Sequence, residues 1–321
     1  MSDTLKIALG QIAPVWFDRT RTLAKVSDYI AEAASSGCEL IAFGETLVPG
    51  YPFWLEYSNV TAFNSPFHKE FHAEYVNQAV CIERGDLEGI CRLASERNIA
   101  VYLGILESPA DRGESVYASL VYIGKDGKIG SVHRKLMPTY DERMTWATGD
   151  GHGLRTHRLG SFTVGGLNCW ENWMPLARTA LYAQGEDLHV AVWPGSLRNT
   201  QDITRFIAKE SRSYVASVSS LMRRSDLPAD IPNSETIIAN SPEFLANGGS
   251  CVAGPDGEWV VEPFCDQEKL VVATIDHKRV REERQNFDAT GHYSRPDVLQ
   301  LTVDRTRQTA ARFTGDEDTS Q

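Results

Sequence analysis

Nothing in the spacing of this chain's cysteines pairs them. Six are present in 321 residues, none in a Cys-x-x-Cys arrangement, so neither a disulfide framework nor a zinc ribbon is indicated, and a reducing compartment would keep them as thiols. Cys38, Cys91 and Cys251 lie in apolar contexts that suit packing. Long apolar runs are missing too, and no stretch approaches the roughly 18 residues of a membrane span. Positive charge is scarce. Lys and Arg number 32 against 43 Asp and Glu, for a net charge of −11, and the basic runs are as short as Arg223-Arg224 and His133-Arg134-Lys135. Nucleic acid and anionic membranes are therefore not expected as partners. The N-terminus passes from Met1-Ser2-Asp3 straight into a strand pattern rather than a secretory leader, which predicts a cytoplasmic protein. Metal and phosphate motifs are incomplete. His68 and His72 stand at i and i+4, but Glu70 is not adjacent to the first histidine as the zinc hydrolase motif requires. Gly149-Asp150-Gly151-His152-Gly153 lacks the following helix of a phosphate cradle and reads as a turn. Asn59-Val60-Thr61 is a glycosylation sequon with no role in the absence of secretion. No metal and no cofactor are expected.

What is present is alternation of strand and helix patterns. Strands are predicted over Leu5–Ile12, Leu40–Phe43, Ile99–Glu107, Tyr117–Ile123, Ile129–His133, Phe162–Leu167, Leu188–Trp193, Tyr214–Ser219, Gly249–Ala253 and Leu270–Ile275. Amphipathic helices are predicted over Thr20–Ser35, Leu87–Arg97, Met174–Gln184 and Ile203–Glu210. Asp126-Gly127 and Asp256-Gly257 each separate strand-like runs and read as tight hairpins. Hairpins within a βα pattern predict an α/β sandwich of mixed sheets rather than a purely parallel sheet. The pattern never divides into two compositional halves, so one domain is expected over residues 1–304, with a loose polar tail over 305–321.

Three polar residues stand at strand exits. Cys169 follows the apolar run Ser161–Leu167 and precedes a helix-like segment from Asn172. A nucleophile is exposed at such a turn, and the first free N–H groups of the helix favour a thiolate. Glu45 ends Leu40-Ile41-Ala42-Phe43-Gly44-Glu45, and Lys135 ends Val132-His133-Arg134-Lys135. A lone cysteine is as readily a small hydrophobe as a catalyst. Together the three supply a nucleophile, a base and a cation.

These residues carry a family resemblance. Phe43-Gly44-Glu45 with Pro49-Gly50-Tyr51-Pro52, His133-Arg134-Lys135-Leu136 with Pro138-Thr139 and Glu142-Arg143, and Cys169-Trp170-Glu171-Asn172 resemble, in order and spacing, the three signature blocks of the nitrilase branch of the carbon–nitrogen hydrolases. Gly291-His292-Tyr293-Ser294-Arg295-Pro296-Asp297 is similar to a segment near the end of many microbial nitrilases. The resemblance implies a four-layer α-β-β-α sandwich whose helical face pairs with a second subunit, giving a homodimer or a larger, spiral assembly. It implies catalysis by Glu45 as base, Lys135 as stabiliser of developing charge and Cys169 as nucleophile, with Glu142 as an additional acid. The expected reaction is hydrolysis of an aliphatic or arylaliphatic nitrile to acid and ammonia through a thioimidate and a thioester on Cys169; an amidase or carbamoylase is the alternative. Tyr51, Trp54, Trp146, Trp170 and Trp193 fall in or beside the signature blocks and are the expected substrate-binding residues, suited to an apolar nitrile. Glu171 is expected either to orient Lys135 or to cap the following helix. The chain departs from the family pattern at Gly44, where proline is usual, and at Ala147, where glycine often follows the tryptophan. Glycine at position 44 is expected to free the backbone and loosen the aim of Glu45.

Overall fold

Alternation along the first strand explains the layering. In β1 (Thr4–Gln11), Leu5, Ile7 and Leu9 enter one apolar cluster while Ala8 enters another. Successive strand residues point to opposite faces, so a sheet with apolar groups at every position must be covered on both sides. The same division holds in β2 (Leu40–Phe43), β3 (Ala100–Glu107) and β4 (Tyr117–Ile123). The computed structural model describes residues 3–58 and 62–311, so the sequon at 59–61 and the last ten positions, 312–321, lie outside the described residues.

Among the described residues the strands form two mixed sheets. β5 (Ile129–Arg134) ends the first, which β13 (Lys269–Asp276) closes at its other edge, in the order β13-β1-β2-β3-β4-β5. The second contains β6 (His157–Leu159), β7 (Phe162–Asn168), β8 (Leu188–Trp193), β9 (Tyr214–Ser219), β10 (Leu221–Arg223), β11 (Phe244–Ala253) and β12 (Trp259–Cys265). Its order is β10-β11-β9-β8-β7-β6, with β12 paired to β11. The central pairs β1·β2, β2·β3, β7·β8 and β8·β9 are parallel and the outer ones antiparallel. The two sheets face each other across Ile7, Leu9, Leu120, Val164, Val190 and Val218.

Helices cover the outer faces. α1 (Arg19–Ser35) is capped by the Asp18 side chain and lays Val26, Ile30 and Ala33 on the first sheet; the short α2 (Trp54–Tyr57) and α3 (Pro66–Asn77) follow, and α4 (Glu88–Arg97) adds Ile90 and Ala94 to the same layer. α5 (Pro175–Tyr182) and α6 (Leu197–Ser211) cover the second sheet with Ala177, Leu181, Ile203 and Ile207. α7 (Ser234–Asn240) and α8 (His277–Glu283) complete the set. The result is the α-β-β-α sandwich, with both Asp-Gly hairpins in place: Gly127 and Gly257 take φ of 74° and 79°, the left-handed region glycine adopts without strain.

Several elements differ from expectation. α6 starts at Leu197 rather than Ile203 because its first turns bury threonines, Thr200 bonding the Gly249 carbonyl at 2.7 Å and Thr204 the Ser217 hydroxyl at 2.6 Å, and buried hydroxyls hide an apolar period. The expected helix over Met174–Gln184 is shorter, since Pro175 takes the first helical position and Cys169–Trp173 forms a separate 3-10 turn before it. The tail is not loose where it begins. Arg307 bonds Asp150 at 3.0 Å and the Val132 carbonyl at 2.8 Å, and the Gln308 N–H donates to Asp150 at 2.9 Å. No helix among the described residues is long and apolar enough to cross a membrane.

Candidate active site

Three polar side chains from separate strand exits and a fourth from a 3-10 turn converge between the sheets. Glu45 follows β2, and its N–H donates to the Trp193 carbonyl at 3.1 Å, tying one sheet to the other. Glycine is required on both sides of it. A Cβ on Gly44 would lie 2.9 Å from both the Trp193 carbonyl and the Ser220 nitrogen, and one on Gly104 would lie 2.1 Å from the Gly44 carbonyl. Gly44 thus packs Glu45 closely against the second sheet rather than loosening it. Lys135 follows β5, its N–H donating to the Ala118 carbonyl at 2.8 Å. Glu142 sits in a 3-10 turn, Tyr140–Met144, capped by Thr139. Cys169 opens its own 3-10 turn with φ of 48°, a left-handed conformation uncommon for a residue with a Cβ.

The Lys135 ammonium lies 2.8 Å from Glu45 Oε1 and 2.7 Å from Glu142 Oε2. One oxygen of each carboxyl and the Cys169 Sγ lie within 4.8 Å of one another. The cation between the carboxylates is therefore the lysine. Tyr51 donates its hydroxyl to Glu142 Oε1 at 2.7 Å, and the Thr139 N–H donates to Oε2 at 2.6 Å. All four reactive groups are almost wholly withdrawn from solvent.

Burial dominates the electrostatics. It pushes Glu45 up to about 8, with Lys135 opposing and Glu142 adding to the rise. The Cys169 thiol is also pushed well up, first by burial and then by Glu45, against the pull of Lys135 and the Trp170 N–H. This runs against the push towards thiolate expected from the turn, because desolvation and two carboxyls outweigh one short turn's N–H groups. Burial alone would discharge Lys135, but the sulphur and both carboxyls raise its affinity for the proton and keep it an ammonium.

Glu171 has a definite place. Its Oε1 accepts the Leu136 N–H at 2.6 Å, its Oε2 the Asn168 N–H at 2.9 Å, and His133 Nε2 reaches Oε2 at 3.0 Å. It caps the nucleophile's turn and clamps it to the strand exit that carries Lys135. Burial would raise its carboxyl, yet His133 and the two N–H groups hold it below the usual carboxylate range.

A family model for carbon–nitrogen hydrolases matches residues 6–285. An enzyme named Nitrilase 2 from an unknown prokaryotic organism is 35% identical over 96% of this chain and 95% of its own length. An aliphatic nitrilase of Rhodococcus rhodochrous is 31% identical over 96% of this chain and 85% of its own, and an arylacetonitrilase of Aspergillus kawachii 32% identical over 95% and 93%. The chain belongs to the nitrilase branch of the carbon–nitrogen hydrolases. Its fold is also that of a Helicobacter pylori carbon–nitrogen hydrolase, at a TM-score of 0.68 and 19% identity over 92% of this chain and 96% of that one.

Within this nitrilase-branch chain the aromatic residues separate. Tyr51 and Trp146 meet edge to face at 5.5 Å, and the Lys135 ammonium lies 5.4 Å from the Trp146 ring. Trp54 is elsewhere: it is wholly buried, stacked on Phe71 and packed on Tyr75, so it belongs to the core and not to a substrate wall. Trp193 is also sealed, packed in the cluster beneath Cys169 with its indole N–H on Ser217. Trp170 turns outward, with 56% of its surface exposed. His68 and His72 bond the Met144 carbonyl and the Thr145 hydroxyl, bracing the turn that carries Glu142. Sequence reasoning missed that brace because the partners are some 70 residues apart in the chain.

Proposed function

We propose that the protein is a nitrilase that converts an aliphatic or arylaliphatic nitrile to its carboxylic acid and ammonia, with Glu45, Lys135, Cys169 and Glu142 as the catalytic residues. The observation that carries this reading is the contact of one ammonium with two buried carboxyls beside a buried thiol. Glu45 Oε2 has no hydrogen-bond partner among the described residues, and a carboxylate poised near neutrality is a competent base for a thiol. Glu45 takes the Cys169 proton as sulphur adds to the nitrile carbon, and the nitrogen is protonated to give a thioimidate. Water adds, the tetrahedral carbon expels ammonia, and a second water cleaves the thioester to acid and free thiol. Lys135 and the Trp170 N–H stabilise charge on the atom opposite sulphur. Glu142, held by Tyr51 and Thr139, keeps the ammonium in place and exchanges protons with the leaving nitrogen. Tyr51 and Trp146, which contact Glu142 and Lys135, are the aromatic residues this reading assigns to the substrate.

Product analysis tests the reading. Incubation with phenylacetonitrile, benzonitrile, a short aliphatic nitrile and the matching amides is expected to yield acid and ammonia from at least one nitrile, faster for an aliphatic or arylalkyl compound than for benzonitrile. Rapid hydrolysis of the amides with inert nitriles would establish the amidase reading instead.

We also propose that the working form is a homodimer or a larger assembly. Trp170, Trp173, Leu176 and Phe206 are exposed by 56%, 50%, 67% and 51%, all on or beside the nucleophile's turn and the two helices over the second sheet. Large exposed side chains grouped in this way favour a protein partner. A second copy of the same face is the simplest one.

A further inference from the structure

Beneath the nucleophile's turn lies a chain of polar groups that the proposed reaction does not use. Asn172, His189 and Glu186 are each fully buried. The Asn172 amide nitrogen donates to the Cys169 carbonyl at 2.8 Å and to the Leu167 carbonyl at 3.3 Å. Its oxygen consequently faces His189 Nε2, 2.8 Å away, and His189 Nδ1 lies 2.9 Å from Glu186 Oε1.

Donor and acceptor accounting decides the protons. Two carbonyls opposite the Asn172 nitrogen fix the amide's orientation, so the hydrogen between Asn172 and His189 resides on Nε2. A neutral ring with its hydrogen on Nε2 presents a lone pair at Nδ1, and a carboxylate there would set two acceptors face to face. Glu186 Oε2 accepts no hydrogen bond from the described residues, and a fully buried carboxylate with one bare oxygen is costly. A carboxyl that holds its proton and donates it to Nδ1 makes the same contacts as a carboxylate facing an imidazolium, and does so without burying two charges. Burial raises the Glu186 affinity for that proton, in the same direction. Space for the carboxyl exists because β7 has glycine there: a Cβ on Gly165 would stand 2.2 Å from Glu186 Oε1.

We propose that Glu186 and His189, as a neutral hydrogen-bonded pair, act through Asn172 as positioning residues that hold Cys169 in its left-handed conformation and so aim its sulphur and the Trp170 N–H at the substrate. The left-handed backbone is unfavourable for a residue with a Cβ, and the bond to the Cys169 carbonyl offsets that cost. Arg178, donating to the Asn172 carbonyl at 2.8 Å, secures the same asparagine from its other side. The inference rests on the reading of Cys169 as nucleophile.

Four proteins test it: wild type, Glu186→Gln, Glu186→Ala and His189→Leu, each measured for kcat, KM, thermal midpoint and the rate of Cys169 alkylation by iodoacetamide, read by peptide mass spectrometry. His189→Leu and Glu186→Ala are expected to lose kcat by on the order of 10- to 100-fold, a misaimed nucleophile's effect, with KM within about threefold. Glu186→Gln keeps an N–H for Nδ1 and is expected to stay within about threefold of wild type in kcat. Alkylation of Cys169 should follow the same order. It needs no nitrile, so a wild type inert to nitriles but showing this order would sink the proposed reaction and leave the positioning role standing. Full kcat and alkylation in His189→Leu, or equal losses in Glu186→Gln and Glu186→Ala, would overturn the relay. If His189→Leu does not fold, the two Glu186 variants alone decide.

Discussion

In the proposed reaction Cys169 is the nucleophile, and its neighbours set when it is competent. Cys169→Ala is expected to abolish turnover while the thermal midpoint shifts by only the small amount a thiol's packing contributes. Cys251→Ala, whose sulphur bonds Thr204 inside the second sheet, should keep its activity; loss there with activity retained in Cys169→Ala would reassign the nucleophile. The pH dependence follows from Glu45. A base acts in its deprotonated form, and burial pushes Glu45 up to about 8. Its competent fraction therefore grows as pH rises through that value, so kcat/KM should climb from pH 6 through about 8 and level off only above it. Initial rates at low substrate over this range check it, and a plateau already complete at pH 6 would remove Glu45 from the role of base. Glu45→Gln should flatten the profile and prevent any thiol adduct from accumulating.

At the scale of the element, the site depends on strand ends held together by backbone contacts. Gly44, Glu45 and Trp193 join β2 to β8 at the point where the base leaves its strand. Adding one methyl group at Gly44 forces the two sheets apart or displaces Ser220, since two of its three nearest atoms belong to backbone. Gly44→Ala is expected to cost about 1–3 kcal/mol of stability, as overpacking does, and to lower kcat by moving Glu45. Chemical denaturation and steady-state kinetics on the purified variant measure both, and an unchanged midpoint would mean that the sheets have slack at this joint. The Cys169 turn shows the same dependence, because Glu171 binds the backbone on both sides of the site at once.

The two sheets face each other over a continuous apolar layer, and the reactive groups gather at its end, where strands leave it. That position withholds water from the ammonium and carboxyls, which strengthens their mutual interaction. The face outside α5 and α6 has the opposite character. Leu176 points outward, whereas Ala180 and Leu181 point into the core, so the helix divides its apolar residues between interior and surface. Light scattering of the purified protein is expected to report a dimer or a larger species, and Leu176→Glu to shift it toward monomer. A monodisperse, fully active monomer in the wild type would rule the assembly out.

Local pattern was enough for much of this. Short, near-continuous apolar runs marked β2, β4, β8 and β9 at their observed bounds, because a strand covered on both faces is apolar at nearly every position and that is a property of neighbouring residues. The exits of β2, β5 and β7 likewise displayed Glu45, Lys135 and Cys169 without reference to anything distant. Short or polar elements were hidden: α3 has its apolar positions diluted by histidine, lysine and glutamate, and β12 carries Pro263 in an edge strand. What only the tertiary structure decided concerns which side chains meet and are buried together. The contact of Lys135 with both Glu45 and Glu142 is one case, the burial of Trp54 against Phe71 and Tyr75 another, and the line from Glu186 through His189 to Asn172 a third. The raised proton affinity of the Cys169 thiol belongs with them. Charge and desolvation are sums over surrounding atoms, and those surroundings exist only after two sheets, distant in sequence, have closed on each other.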